Sequence, residues 1–228
     1  MLYPLSYGGI MGRDSTSGTL GLAHLSPSHL PSRMSALIKI LLFLVVLAGA
    51  AYLAFRWAGR GEIPAVGGPA PAFELRDGEG RVHRLADHAG RWLVLYFYPK
   101  DETPGCTAQA CNLRDGFAEF RRRDVALLGV SLDDSASHAA FARHHRLPFP
   151  LLSDPDGRVA GAYGALWALG PVRFAKRHTY LVDPRGRIAR TFVSVTPGTH
   201  SADLLAEIER IGLEPRPTGT NNSDMPLR

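Results

Sequence analysis

The chain contains two cysteines, Cys106 and Cys111, and both lie in the segment PKDETPGCTAQAC at residues 99–111. Thr103 and Pro104 are the residue types preferred at the N-cap and first position of a helix, which places Cys106 at the third helical position. There the unpaired backbone N–H groups and the positive end of the helix dipole favour thiolate over thiol. We therefore predict that Cys106 is a nucleophile. Thr103 Oγ1 is placed to donate to its sulfur or to a substrate oxygen.

The apolar spacing after Pro104 predicts that Cys106 begins the buried face of this helix. A 3.6-residue period is matched by one set of side chains: Cys106, Ala110, Leu113, Phe117 and Phe120. A cysteine on such a face is often only a small buried hydrophobic residue. The Thr-Pro-Gly sequence before it and the second thiol after it favour a reactive cysteine instead.

The spacing of the two thiols restricts what they can do together. Five helical residues rise by about 7.5 Å, whereas the Cα atoms of a disulfide lie within about 7 Å. Cys106 and Cys111 can therefore pair only if the first helical turns unwind, which predicts a switch rather than a structural disulfide. The C-x-x-C spacing of thioredoxin-type exchange is absent. The pattern favours a thiolate that is oxidised to sulfenic acid and then resolved by the second thiol.

A metal site at the cysteines is the less favoured interpretation. Zinc needs further ligands, and no histidine lies close to either cysteine in the sequence. Nine histidines elsewhere in the chain keep a zinc site open as an alternative. We predict no metal.

The elements around this segment predict an α/β domain over residues 72–213. Residues 92–98, WLVLYFY, are typical of a central strand buried on both faces. A single helix is predicted over residues 104–123, and Ser135 is predicted to cap a helix that ends near His145. Hairpins are predicted over residues 73–85 and 178–193, strands over 125–132 and 150–153, helical turns over 157–164 and a last helix over 201–211. This alternation indicates three layers around a mixed sheet.

A long apolar stretch precedes the domain. Residues 40–55 are all apolar or small, and extension toward the N-terminus gives about twenty residues, enough to cross a bilayer. Arg56, Trp57 and Arg60 suit a membrane interface and favour a single transmembrane helix over residues 36–57. The alternatives are a signal peptide cleaved at residues 48–50, followed by export, and a buried core helix. The domain that follows is expected on the extracytoplasmic side.

The remaining segments are expected to lack a fold of their own. Residues 1–35 have no hydrophobic period and indicate a disordered or mis-assigned extension, with Met34 as an alternative start. Residues 58–71 are rich in proline and glycine and indicate a linker. Residues 214–228 indicate a disordered tail.

Charge and cysteine content exclude several function classes. The net charge of +5 divides between five basic and two acidic side chains in residues 1–62 and 19 basic and 17 acidic in residues 63–213. A nucleic-acid-binding domain concentrates positive charge on itself, so nucleic acid is not expected as a partner. Two cysteines in 228 residues also exclude a disulfide-stabilised miniprotein and a four-cysteine zinc site.

The run YFYPKDETPGCTAQAC closely resembles the peroxiredoxins, and within them the bacterioferritin-comigratory or Q-type subfamily. Pro99, Thr103 and Cys106 match the P-x-x-x-T-x-x-C motif of that family. Cys111 matches the resolving cysteine that some members carry, and the segment RHTYLVD matches the strand that carries the active-site arginine, here Arg177. The resemblance covers about residues 63–213. The segment at residues 165–175, expected to be a loop, departs from the family pattern.

The resemblance implies a thioredoxin-like fold and a thiol peroxidase without metal or other cofactor. Cys106 would attack a hydroperoxide, while Arg177, the Cys106 N–H and Thr103 would stabilise the departing oxygen. Pro99 would shield the sulfur from water, and Cys111 would resolve the sulfenic acid as a disulfide. Thioredoxin or a similar dithiol would reduce that disulfide. A monomer or weak dimer is expected, with the lipid bilayer as a further partner through the N-terminal helix.

Two other functions fit parts of this pattern. A membrane-tethered thiol–disulfide exchange protein would suit the apolar helix, although the absent C-x-x-C counts against it. A redox-sensing or binding domain without turnover would have the same residues and would show only stoichiometric oxidation.

Overall fold

The structure is a computed structural model that describes residues 32–57 and 61–213. The extension predicted over residues 1–35 lies almost entirely outside the described residues, and the tail predicted over residues 214–228 lies wholly outside them. The two described segments are presented separately.

Helix α1 spans Ser32–Trp57 and contains the predicted apolar stretch. Its segment Ala36–Ala54 is, within the described residues, the one helical stretch long and apolar enough to cross a membrane. None of that segment is buried, which distinguishes it from the core helix of a soluble protein. A signal sequence would have the same length and composition.

The domain is built on a mixed seven-stranded sheet. Its strands are, in spatial order, β2 (Val82–Arg84), β1 (Glu74–Asp77), β5 (Leu151–Ser153), β4 (Val125–Ser131), β3 (Trp92–Phe97), β8 (Thr179–Val182) and β9 (Ile188–Phe192). The β5–β4 and β4–β3 pairs are parallel, and the other pairs are antiparallel. A short 3-10 helix, Leu85–His88, follows β2.

Helices cover both faces of this sheet, as the sequence predicted. They are α2 (Pro104–Asp115), α3 (Phe117–Arg122), α4 (Ser135–His145), α5 (Arg158–Ala162) and α6 (His200–Arg210). Successive side chains of β3 alternate between two cores, because a strand points them to opposite faces. Leu95 and Phe97 join the core that contains α5, and Val94 and Tyr96 join the core that contains Cys106.

The prediction of a single helix over residues 104–123 is wrong. It divides at Gly116 into α2 and α3. Glycine is a poor helix former, and a Cβ at this position would collide with the Ser201 side chain at the start of α6. The close approach of α6 therefore accounts for both the glycine and the break.

The segment expected to be a loop and the predicted linker also differ from the structure. The segment at residues 165–175 is a hairpin, β6 (Leu166–Leu169) and β7 (Val172–Ala175), in which Trp167 stacks on Phe174. The linker predicted over residues 58–71 is, from Gly61 onward, attached to the domain. Gly67 N–H donates to Ile188 O at 2.7 Å, and Ala70 N–H donates to Gly186 O at 2.8 Å.

The N-cap of α4 is Asp134 and not Ser135, because the Asp134 carboxylate accepts the Ser137 N–H at 2.8 Å. We expect Asp134→Ala to lower the free energy of unfolding by about 1 kcal/mol, the usual effect of removing an N-cap. The matched control is Ser135→Ala, which should change it by less than about 0.5 kcal/mol. Urea unfolding of the detergent-solubilised chain measures both. Equal losses in the two variants would contradict this assignment.

Candidate functional site

Cys106 lies in the first turn of α2 with only 2% of its surface exposed. Thr103 is the N-cap residue and Pro104 the first helical residue, as predicted, and the Thr107 N–H donates to Thr103 O at 2.8 Å. Cys106 packs in the same core as Tyr96 and Ala110. This position places the sulfur at the positive end of the helix, beside N–H groups that have no helical partner.

Arg177 reaches the Cys106 sulfur from another part of the chain. Its Nη2 donates to Cys106 Sγ at 3.4 Å. Gly105 leaves room for the guanidinium, since a Cβ there would lie 3.2 Å from Arg177 Nη2. The guanidinium and the helix N-terminus both direct positive charge toward this buried sulfur, and such surroundings are typical of reactive cysteines and not of passive core residues.

The pairing of β3 with β8 brings these two residues together. β3 leads toward α2, and β8 begins two residues after Arg177. The strands are antiparallel, and the Phe97 N–H donates to His178 O at 2.7 Å. The end of β3 and the start of β8 therefore meet at one edge of the sheet.

Gln109 and His200 support Arg177 and were missed in the sequence analysis. Arg177 Nη1 donates to Gln109 Oε1, and Gln109 Nε2 lies 2.9 Å from His200 Nδ1. Both Gln109 and His200 are buried. The position of Gln109, three residues after Cys106 on the helix, is a signal that could have identified it; His200 is 94 residues away from Cys106 and gives no such signal.

His200 is held neutral by its surroundings. Burial lowers its pKa to about 4, with a further lowering by the positive charge of Arg177 that opposes the effect of Asp203. A neutral imidazole accepts through one nitrogen. Since the Gln109 amide nitrogen donates to Nδ1, the hydrogen of His200 is on Nε2. His200 therefore fixes Gln109 without placing a second positive charge beside Arg177.

Asp101 fixes the loop between β3 and α2. Its carboxylate accepts from Tyr98 Oη at 2.8 Å and from Ser137 Oγ at 2.7 Å, and it lies 2.8 Å from His138 Nδ1. Burial alone would raise the pKa of Asp101, but these hydrogen bonds and the His138 charge lower it. The ionised carboxylate thus ties the loop that enters the Cys106 turn to α4.

The Thr103 hydroxyl does not contact the Cys106 sulfur as predicted, and Pro99 lies in the loop that precedes α2. The Thr103 hydroxyl makes no capping hydrogen bond and donates to Lys100 O at 3.0 Å instead of to the Cys106 sulfur. Its oxygen keeps lone pairs free to accept from a substrate hydrogen. Pro99 is half-buried and lies two residues after β3.

Cys111 is a free thiol one and a half turns after Cys106 on the intact α2. It is half-buried, and its Sγ lies 3.9 Å from His145 Nδ1. A disulfide between the two cysteines is therefore incompatible with this helix, as predicted from their spacing.

The side chains of Glu102, His144 and His145 form a cluster whose donor atoms lie within 4.8 Å of one another, close enough to hold a cation. Their spacing is that of hydrogen bonds: Glu102 Oε1 lies 3.0 Å from His144 Nδ1, and Oε2 lies 3.1 Å from His145 Nε2. The His144 side chain is 68% exposed and adjacent to His145 on the same helix. We interpret the cluster as two histidines that each hydrogen-bond one carboxylate oxygen of Glu102, and not as a set of metal ligands.

Comparison with known proteins supplies the family. The sequence profile of the AhpC/TSA family matches residues 66–191. The chain belongs to the AhpC/TSA family. Peroxiredoxin Bcp of Bacillus subtilis is 38% identical over 150 residues, which cover 63% of this chain and 94% of that protein.

Solved structures agree with this assignment. The crystal structure of peroxidoxin BcpB from Mycobacterium tuberculosis has a TM-score of 0.62 and 32% identity, over 66% of this chain and 99% of that one. The bacterioferritin comigratory protein of Xanthomonas campestris has a TM-score of 0.58 and 32% identity, over 61% and 91% of the two chains. The predicted thioredoxin-like fold and Bcp/PrxQ resemblance are confirmed. This peroxiredoxin is a thiol-dependent peroxidase, and thiol–disulfide exchange is not favoured.

The buried neutral His200 of the peroxiredoxin should make stability fall in acid. An unfolded histidine titrates near pH 6.5 and His200 near 4, so between these values the unfolded chain binds the extra proton. We expect this site to contribute a loss of about 2 kcal/mol in the free energy of unfolding between pH 7.5 and pH 4.5.

His200→Gln should remove that part of the loss. His88 and His178, whose pKa values are also lowered by burial, stay in both proteins, so the difference isolates His200. Urea unfolding at a series of pH values measures it. An identical pH dependence in the two proteins would contradict the assignment of His200 as a neutral group.

Proposed function

We propose that Cys106 is the peroxidatic nucleophile and that Arg177 stabilises the charge that moves from sulfur to oxygen. The observation that carries this proposal is the 3.4 Å contact between Arg177 Nη2 and Cys106 Sγ at the start of α2. The thiolate attacks the terminal oxygen of a hydroperoxide, the O–O bond breaks, and a proton converts the departing RO⁻ to an alcohol or water. Sulfenic acid is left on Cys106.

The positive groups around Cys106 suit this reaction because they are in place before it begins. Arg177 is held by Gln109, and the first backbone N–H groups of α2 have no partner within the helix. Donors that are fixed in advance stabilise developing charge without reorganising. We propose that Thr103 orients the peroxide by accepting its hydrogen and that Pro99 limits access of water to the sulfur.

Cys111 is proposed to resolve the sulfenic acid as an intramolecular disulfide. The first turns of α2 unwind for this step, because the intact helix keeps the cysteines apart. A thioredoxin-type dithiol then reduces the disulfide. Both cysteines lie in one chain, so catalysis requires no second subunit, and we propose a monomer or weak dimer.

Hydrogen peroxide and organic hydroperoxides are the proposed substrates. The X. campestris relative is described in connection with alkyl peroxide reduction, which supports organic hydroperoxides as part of the range.

Replacing each of the two cysteines should block a different step of the reaction. We expect Cys106→Ser to abolish peroxide consumption, because Cys111, the thiol that remains, is not at the start of α2 and has no recorded hydrogen bond from Arg177 in the described part of the chain. Cys111→Ser should leave the first turnover within about threefold of wild type and stop recycling by thioredoxin. Stopped-flow oxidation and coupled turnover assays separate the two effects, and each variant serves as the control for the other. Full peroxidase activity in Cys106→Ser would overturn the mechanism.

Membrane attachment is proposed for α1. The exposed apolar segment Ala36–Ala54 supports a single-pass anchor over residues 36–57, with the domain on the extracytoplasmic side. The alternative is a cleaved signal peptide with export of the domain.

An anchored chain should stay in the membrane pellet after alkaline carbonate washing. Replacing both Leu44 and Leu47 by Arg should release it, because each charge costs about 2.5–3.5 kcal/mol at the centre of a span. The control replaces the same two leucines by Ile. A reporter active on only one side of the membrane, fused after Arg228, reports the side. Release of the full-length wild-type chain by carbonate would contradict the anchor, and an N-terminus beginning after residue 50 would indicate cleavage.

A further inference from the structure

Cys111 has a histidine beside its sulfur, and the histidine has a carboxylate on its other side. His145 Nδ1 lies 3.9 Å from Cys111 Sγ, at the long end of the range for a sulfur hydrogen bond. His145 Nε2 lies 3.1 Å from Glu102 Oε2. A nucleophile, a base and a group that orients the base are the components of a catalytic triad. None of these contacts is used by the mechanism proposed for Cys106.

The hydrogen bond to Glu102 decides which nitrogen of His145 carries the hydrogen. Hydrogen bonds from His144 and His145 lower the pKa of Glu102, so its carboxylate is ionised and can only accept. A neutral His145 must therefore place its hydrogen on Nε2. Its Nδ1 lone pair then faces the Cys111 thiol.

His145 is held in this position by neighbours on two sides. Its ring packs edge-to-face against Phe141, with the ring centres 4.9 Å apart, and its side chain is 16% exposed. Arg114 Nη1 donates to His145 O at 2.8 Å, which ties the end of α4 to α2. The ring that faces Cys111 is therefore fixed before any oxidation occurs.

Asn112, the residue after Cys111, is tied to the segment at the start of α6. Asn112 Nδ2 donates to Gly198 O at 2.8 Å, and the Ser201 N–H donates to Asn112 Oδ1 at 2.7 Å. These hydrogen bonds hold the second half of α2 at the start of α6. Unwinding between Thr103 and Ala110 can then bring Cys106 to Cys111 without moving Cys111 away from His145.

We propose that His145, oriented by Glu102, is the general base that activates Cys111 for attack on the Cys106 sulfenic acid. This inference rests on the proposed resolving role of Cys111. His145 Nδ1 takes the proton from the thiol, and the Cys111 sulfur forms a bond to the Cys106 sulfur. The Cys106 S–O bond breaks, and the departing hydroxide takes a proton to leave as water.

The charged groups around Cys111 come from three elements. Arg114 and Asp115 belong to α2 and pair with each other. His144 and His145 belong to α4, and Glu102 to the loop before α2. The hydrogen bond with Asp115 is the largest effect that raises the pKa of Arg114. His145 is the group among these that can both face the sulfur and accept its proton.

The test measures disulfide formation separately from sulfenic acid formation. Reduced full-length protein is mixed with one equivalent of hydrogen peroxide in the presence of EDTA, quenched at intervals by acid, alkylated and analysed by mass spectrometry. His145→Gln and Glu102→Gln are compared with wild type between pH 5.5 and pH 9. His144→Gln is the matched control, because His144 contacts Glu102 and has no contact with Cys111 among the described hydrogen bonds.

At pH 7 we expect His145→Gln to slow disulfide formation by at least about tenfold, the lower range for loss of a general base. Its rate should keep rising with pH toward the range where an ordinary thiol ionises, about 8.5. Glu102→Gln should show a smaller effect of the same kind. Sulfenic acid should form in all variants within about twofold of wild type, and His144→Gln should resolve it at the wild-type rate.

Three outcomes would overturn the proposal. An unchanged rate and pH profile of disulfide formation in His145→Gln would remove His145 from the chemistry while leaving Cys111 as the resolving thiol. Equal slowing of sulfenic acid and disulfide formation would show that His145 acts through the fold. Absence of a Cys106–Cys111 disulfide in wild type would overturn both this proposal and the resolving role of Cys111.

Discussion

The buried Cys106 sulfur lies where positive groups and hydrogen-bond donors converge, and much of the domain serves to bring them together. The start of α2 supplies the helix N-terminus, and Arg177 supplies a guanidinium at 3.4 Å. The two lie 71 residues apart in sequence, and the antiparallel pairing of β3 with β8 brings them to one edge of the sheet. Gln109 and the neutral His200 then hold the guanidinium in place.

Helix α2 has to satisfy two opposing conditions. Its intact first turn positions Cys106 for attack on a peroxide, whereas disulfide formation requires that turn to open. Hydrogen bonds before the first turn and in the second half of α2 allow the first turn to open while the rest of the helix stays in place. Asp101 fixes the loop before the helix, and Asn112 fixes its second half. In the proposed mechanism the conformational change is confined to the residues between these two fixed points. Thr103, Pro104 and Gly105 of this stretch lie outside the buried core, whereas Cys106 and Ala110 have to leave it.

The two cysteines have different partners, and this difference matches their different reactions. In the proposed mechanism Cys106 reacts with a small oxidant and releases a charged oxygen, so a permanent cation at its sulfur is useful. Cys111 is proposed to react with an electrophilic sulfur, for which it first has to lose a proton, and its neighbour His145 is a group that can take one. Glu102, in the loop before α2, and His145, on α4, are far apart in the chain, and their contact places a histidine beside Cys111.

The sequence by itself predicted Cys106 as the nucleophile, and it determined the place of this residue at a helix start, the buried central strand and the α/β architecture. Each rests on local rules, namely helix capping, apolar period and cysteine spacing. Arg177 came from the family resemblance and not from any local pattern. The tertiary structure alone decided the break at Gly116, the β6–β7 hairpin and the grouping of Gln109 with His200 and of Cys111 with His145. Such contacts depend on how α6 and α4 pack against α2, and packing between distant segments leaves no fixed spacing in the sequence.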